Sequence, residues 1–391
     1  MHNLVTMRAI RITLLSMAVL WALLGGCARR PAKTVGAEGV STEAIQLNDT
    51  ARFLAGLPGR ANGPFRELEK TRSWKDYSTE IAETWNQAQK DQFAAVDAFQ
   101  QRELASLHTG GSFVFYPFSG PDVLYLSHFF PNGKKYVLAG LENVGTMKSP
   151  SEYNSKNLDR ELNGWKQALG SIFNRTFFVT SEMDSEFHGR VANGLLPMIL
   201  LLMVRSGDTI DGMRYGHFDE AGRFLADGPQ WPGKHKGVEV SFHRGGEKGS
   251  RTLYYFSTNL SQEFETHPGF QRFLESQGTA DTLVKSASFL LHWKMCSGLR
   301  SYMLAKSNLI LEDDTGVPYR YFENADWRVR LFGGYSRPDR PFRREYQPDL
   351  ADAFQDNSKV RELGFSLGYG SGRRPSSMIL AERVKKIGGG S

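Results

Sequence analysis

Residues 112–142 read SFVFYPFSGPDVLYLSHFFPNGKKYVLAGLE, and the fold turns on how this stretch is organised. Phe113 to Phe118 is a dense run of aromatic and β-branched side chains, the composition of a strand buried on both faces. Pro121 follows two small residues, and its fixed φ suits the first turn of a helix. Pro131-Asn132-Gly133 closes that helix, and Tyr136 to Leu141 forms a second strand. A strand, a helix and a strand of this length predict a right-handed parallel crossover. The turn Phe118-Ser119-Gly120-Pro121-Asp122 brings a strand end to a helix N-terminus, whose free N–H groups suit an anion or a cofactor. Glu142 closes the second strand, where a Rossmann-like unit keeps its ribose-binding acid. Ser119 and Asp122 are equally suited to cap the helix. If capping is its whole role, Asp122→Ala would cost about 1 kcal/mol.

Before this unit, Ile81, Trp85, Ala88, Phe93, Val96 and Phe99 recur at helical spacing, predicting one long or two abutting helices stopped by Gly110-Gly111. After it, helices are expected over 158–173 and 191–204. The second has only about eleven apolar residues and carries Pro197, so it reads as a core helix rather than a membrane span. Strands are expected over 213–218, 238–243 and 252–258, the last two as a hairpin through RGGEKGS. Helices follow over 268–276 and 280–305, then short strands over 308–311, 319–322, 328–335 and 378–384. No internal repeat is present. The fold class expected is α/β: a Rossmann-like mixed sheet with one parallel strand–helix–strand unit and antiparallel additions, preceded by N-terminal helices. One domain spans 76–385, with a flexible tail over 386–391.

The N-terminus has a different character. Arg8 and Arg11 supply a basic start, and residues 12–24 form an apolar run within the range of a signal-peptide core and too short for a bilayer span. Leu24-Gly25-Gly26-Cys27 resembles the lipobox of bacterial lipoproteins. That resemblance implies export, cleavage of residues 1–26 and lipidation of Cys27, with residues 27–75 as a tether. Several acyl chains anchor a protein stably where one does not. Ala28 after the cysteine implies the outer membrane, facing the periplasm. FYPFSGPD, YVLAGLENVG and DDTGVPYRYF also resemble segments of uncharacterised exported bacterial proteins, a likeness that carries no chemistry.

Composition narrows the partners. Aromatic residues at 12% argue against disorder over most of the chain. Cleavage after Gly26 would remove Arg8 and Arg11 and no acid, so the formal charge falls from +6 to +4. That is too mild to imply nucleic-acid binding. The partners expected are the membrane, through the N-terminal lipid, and an unidentified envelope partner or small ligand. With Cys27 lipidated, Cys296 is the one remaining cysteine, which excludes an intramolecular disulfide and a cysteine-based zinc site. Cys296 lies in an apolar run and reads as a buried inert thiol.

The turn at Ser119 and the acid at Glu142 together resemble the first motif region of S-adenosylmethionine-dependent methyltransferases. On that resemblance Ser119, Gly120 and Asp122 would line a cofactor loop and Glu142 would hold a ribose. Only one glycine of the expected loop is present, and Pro117 and Pro121 are foreign to it. Our expectation is therefore a binding protein with no cofactor and no metal. The methyltransferase-like enzyme stands as the alternative. Glu312-Asp313-Asp314 could converge on a hard cation, although the expected state is a solvated turn. Arg337, Arg340, Arg343 and Arg344 could face lipid phosphates or an acidic glycan, and the glycine-rich run 368–374 an anion. No H-E-x-x-H, G-x-S-x-G or P-loop pattern occurs.

Overall fold

In the computed structural model, which describes residues 41–107, 112–175, 192–228, 234–247, 249–370, 376–385 and 387, β1 (Phe113–Pro117) lies in the middle of an eleven-stranded mixed sheet. The signal segment expected over 1–26, Cys27, the Gly110-Gly111 stop and most of the run 368–374 lie outside the described residues. β2 (Lys135–Gly140) pairs with β1 in parallel, with Phe115 opposite Val137, so the unit expected from residues 112–142 forms. Beyond β2 come β6 (Arg251–Ser257), β5 (Gly237–Arg244), β3 (Asp208–Phe218) and β4 (Phe224–Ala226). On the other side of β1 come β7 (Ala280–Val284), β8 (Ser307–Glu312), β11 (Ser377–Arg383), β9 (Trp327–Gly333) and β10 (Val360–Arg361). The block β6-β2-β1-β7-β8 is parallel throughout. β11 runs antiparallel to both its neighbours, and β5 is antiparallel to β6 and β3. The hairpin through RGGEKGS is thus β5–β6.

Alternation along β1 builds two apolar layers, because successive strand side chains point to opposite faces. Val114 and Tyr116 enter one layer with Tyr136 and Leu138. Phe113 and Phe115 enter the other with Val137, Ala139 and Phe256. Helices cover each face. α1 (Thr42–Leu54), α3 (Arg72–Ala88), α4 (Ala94–Phe99), α5 (Val123–Phe129), α6 (Leu158–Arg175) and α7 (Leu196–Arg205) supply the first layer, α2 (Arg66–Glu69) being a single turn before α3. α8 (Glu263–Thr266), α9 (Gly269–Ser276) and α10 (Ser297–Lys306) supply the second. α11 (Pro348–Gln355) packs Leu350 and Phe354 against Leu331 and Ile379 near the β9 edge. All residues of α7 from Leu196 to Val204 are buried, as expected of a core helix, and no described helix is long and apolar enough to cross a membrane.

Three expectations give way. Residues 41–75, assigned to the tether, are folded, beginning with Ser41, whose side chain caps α1. Phe53, Leu54 and Phe65 are fully or almost fully buried, and Phe53 stacks on Phe65 with centroids 4.2 Å apart. Weak periodicity hid this, because α1 buries small and polar residues (Ala44, Asp49, Thr50) beside its large ones. The helix expected over 280–305 is instead β7, a pair of 3₁₀ turns and α10. Ala-Asp-Thr-Leu-Val fits the slot between β1 and β8, buried on both faces, and the sheet overrides local propensity. Tyr319–Tyr321 is a 3₁₀ turn rather than a strand.

Candidate functional site

The chain leaves β1 for β2 on one side and β7 for β8 on the other, so the carboxyl ends of β1 and β7 flank a switch point. Open α/β sheets bind ligands at such a crevice. Among the described residues, four non-glycine residues have left-handed φ: Phe118 at 57°, Ser286 at 54°, Ser288 at 51° and Phe289 at 58°. All four immediately follow β1 or β7. Each such residue costs of order 1 kcal/mol or more and persists only where its surroundings over-determine it.

Polar bonds supply that over-determination. Asp122 caps α5, its Oδ1 accepting from the Tyr125 N–H at 3.1 Å. Its Oδ2 accepts from the Tyr116 hydroxyl at 2.8 Å and lies 2.9 Å from the Lys285 ammonium. Side-chain exposure is 1% for Asp122 and 2% for Lys285, so the pair is sealed from water. The ammonium also sits 4.3 Å from the Tyr125 ring centroid. Behind Lys285, the Ser286 N–H donates to Asp313 Oδ2 at 2.8 Å and the Ala287 N–H to Thr315 Oγ1 at 2.7 Å. The Tyr369 hydroxyl donates to the Ser286 carbonyl at 2.8 Å. Gly368 (φ 68°) lets this backbone close in, since a Cβ there would stand 2.6 Å from Asp313 Oδ2.

The proposed cofactor turn is therefore occupied by the protein's own groups. Ser119 is 3% exposed, its N–H donating to the Ala139 carbonyl and its hydroxyl to the Gly120 carbonyl. Gly120 is buried at φ 52°. Glu142 stands half-buried past the end of β2, and the Tyr255 hydroxyl donates to its carbonyl at 2.9 Å. Ser119, Gly120 and Asp122 are together beneath the surface, while Glu142 reaches solvent separately. Burial drives both the Tyr116 and Tyr255 phenols well above their ordinary range, with the neighbouring carboxylates Asp122 and Glu142 adding to it. Neither phenol is poised to lose its proton.

Glu312-Asp313-Asp314 is not a solvated turn, for Glu312 and Asp313 are 0% and 2% exposed. Asp313 spends its oxygens on Thr315 and Ser286, and no metal-holding group of three occurs among the described residues. Burial pushes the Glu312 carboxyl well up, opposed only in part by the Val317 N–H, and its Oε1 has no hydrogen-bond partner among the described residues. Burial raises Asp313 too, against its three hydrogen bonds. A carboxyl whose folded-state pKa is raised holds its proton more tightly in the folded chain. Its stabilising contribution is whole below the unfolded pKa and is lost as pH rises through the folded one. In urea unfolding at rising pH from about 4.5, Glu312→Gln is therefore expected to gain on the wild type. A difference that does not vary with pH would rule out a neutral Glu312.

An open cleft of about 570 Å³ lies next to this cluster. Among the described residues, Glu83, Gln87, Asp91 and Gln92 rim it, and Phe93, Leu124, Tyr125 and Ile172 form its apolar floor. The rim is built by the end of α3 (Glu83, Gln87) and the π-helical turn Gln89–Phe93 that continues it (Asp91, Gln92), a local irregularity common at functional sites. Gln92 Nε2 donates to the Tyr125 hydroxyl at 3.0 Å and to the Ser366 carbonyl at 2.6 Å. Tyr125 thus joins the cleft floor to the Lys285 pair. The sequence offered one hint of Lys285, a charge directly after the short apolar pair Leu283-Val284, but none of its partner 163 positions earlier. Cys296 is 1% exposed and burial raises its thiol, in keeping with an inert residue. The chain matches no family model, no curated protein and no solved structure.

Proposed function

We propose that this protein is a lipid-anchored cell-envelope protein whose α/β domain binds a small ligand or partner without catalysis. The observation carrying this reading is the Asp122–Lys285 pair, which consumes the helix cap and fills the turn a cofactor would need. The open cleft beside Tyr125 is the complementary feature, with polar groups at its rim and an apolar floor, the usual make-up of a small-molecule site. The anchor itself rests on the lipobox residues Leu24 to Cys27.

The second reading, an enzyme on a methyltransferase-like core, draws support from strand order. Counted in chain order, β6-β2-β1-β7-β8 is 3-2-1-4-5, the Rossmann-like sequence, and β9 takes the sixth place beyond the antiparallel β11. The closed turn weighs against a working cofactor site on that frame. Thermal unfolding with S-adenosylmethionine, S-adenosylhomocysteine and NAD decides between them. A bound nucleoside at 100 times its dissociation constant would stabilise the domain by about 2.7 kcal/mol. We expect no shift with any of the three, in the wild type or in Glu142→Gln. A shift with the wild type that vanishes in Glu142→Gln would overturn the binding-protein reading.

A further inference from the structure

The turn that follows β7 and the 3₁₀ segment Arg340–Glu345 meet at the surface. Phe289 and Phe342 pack with ring centroids 5.2 Å apart. The Trp293 indole N–H donates to Glu345 Oε1 at 3.3 Å, and His292 Nδ1 lies 3.5 Å from Glu345 Oε2. These contacts hold two short exposed stretches side by side, one carrying Trp293, Lys294 and Met295, the other Arg343, Arg344 and Tyr346. Trp293 is 53% exposed, Met295 46% and Tyr346 47%, half of the six large apolar side chains exposed among the described residues. Lys294, Arg343 and Arg344 are exposed and form no ion pair among the described residues. The acid between them, Glu345, is engaged by Trp293 and His292.

An exposed Trp and Tyr beside unpaired cations has a specific complement. Indole and phenol rings favour the headgroup level of a bilayer, where an apolar body and a polar edge are both satisfied. Lys and Arg are drawn to anionic headgroups by the negative surface potential, and Arg pairs with phosphate through two parallel bonds. A soluble partner with an apolar pocket would be served by Trp293 and Met295 but not by three cations without counter-charges. We propose that this patch docks the domain onto an anionic phospholipid surface, Trp293 and Met295 entering the headgroup region and Arg343, Arg344 and Lys294 meeting phosphates. The proposal rests on the lipid-anchored reading and adds an orientation: the carboxyl ends of β7 and β8 face the bilayer.

The test uses the full lipidated chain in vesicles whose phospholipid tails carry bromine, a short-range quencher of tryptophan. Vesicles of phosphatidylethanolamine and phosphatidylglycerol are compared with vesicles of phosphatidylcholine alone. We expect extra quenching in the anionic vesicles, absent in Trp293→Phe. Arg343→Gln with Arg344→Gln is expected to weaken docking roughly 30-fold and to shrink the difference between the two compositions to what Lys294 alone supplies. Equal quenching in wild type and Trp293→Phe would overturn the proposal, as would quenching indifferent to anionic lipid. If Trp293 stays unquenched in anionic vesicles yet its emission responds to dextran sulfate, the patch serves an acidic glycan and the bilayer assignment is wrong. Failure of the whole protein to associate with any vesicle would instead defeat the anchor.

Discussion

Lys285→Met is expected to destabilise the domain by about 3–5 kcal/mol, the range for removing one partner of a buried pair. The substitution keeps most of the apolar stem and ends one atom short of the ammonium, so little of the loss arises from packing. What remains is the Asp122 carboxylate, 1% exposed, with the Tyr116 hydroxyl and the Tyr125 N–H as its neutral donors. Two hydrogen bonds do not replace an ammonium in a site that water cannot reach. Asp122→Ala is expected to fall in the same range, above the 1 kcal/mol of a cap alone, because it also removes the carboxylate 2.9 Å from the buried Lys285 ammonium. Asp122→Ala combined with Lys285→Met removes both charges and should cost clearly less than the two single changes summed. Urea midpoints with unchanged slopes measure all four corners. A cost below about 1 kcal/mol for Lys285→Met would mean that the pair is not sealed, and the closed turn would lose its support.

The second large effect is all or none. With Cys27→Ser, no thioether can form, so the chain should retain its signal segment and incorporate no tagged fatty acid. The wild type should carry the label and fractionate with membranes, because two or more acyl chains give anchoring that one does not. A wild type that takes up no fatty acid refutes the lipoprotein reading. It would leave the closed turn and the cleft untouched, since neither depends on how the chain is held.

The site was legible in proportion to how local its signals are. Asp122 was marked as a possible cap by its position after Pro121, and it does cap α5. Its ion pair was invisible, because Lys285 arrives from a strand that the local pattern assigns to a helix. Likewise Glu312-Asp313 reads in sequence as a solvated acidic turn. Only the stacking of β8 beside β7 buries those carboxyls and lifts their pKa. The cleft combines α3, α5 and α6, with side chains from Glu83 to Phe173. No spacing within any one of them foretells a cavity.

By itself the sequence determined the parallel β1–α5–β2 unit, the buried α7 and the β5–β6 hairpin. Each is written in neighbouring residues, through alternation, a well-placed proline or an unbroken apolar run. The packing of α1 into the core, the slot that makes residues 280–284 a strand and the closure of the Ser119 turn were decided only in three dimensions. Their energies come from burial and charge pairing between segments far apart in the chain. A strand between two others gains its hydrogen bonds and both buried faces from its neighbours, and an ammonium is tolerable in the interior only where another element brings a carboxylate to it.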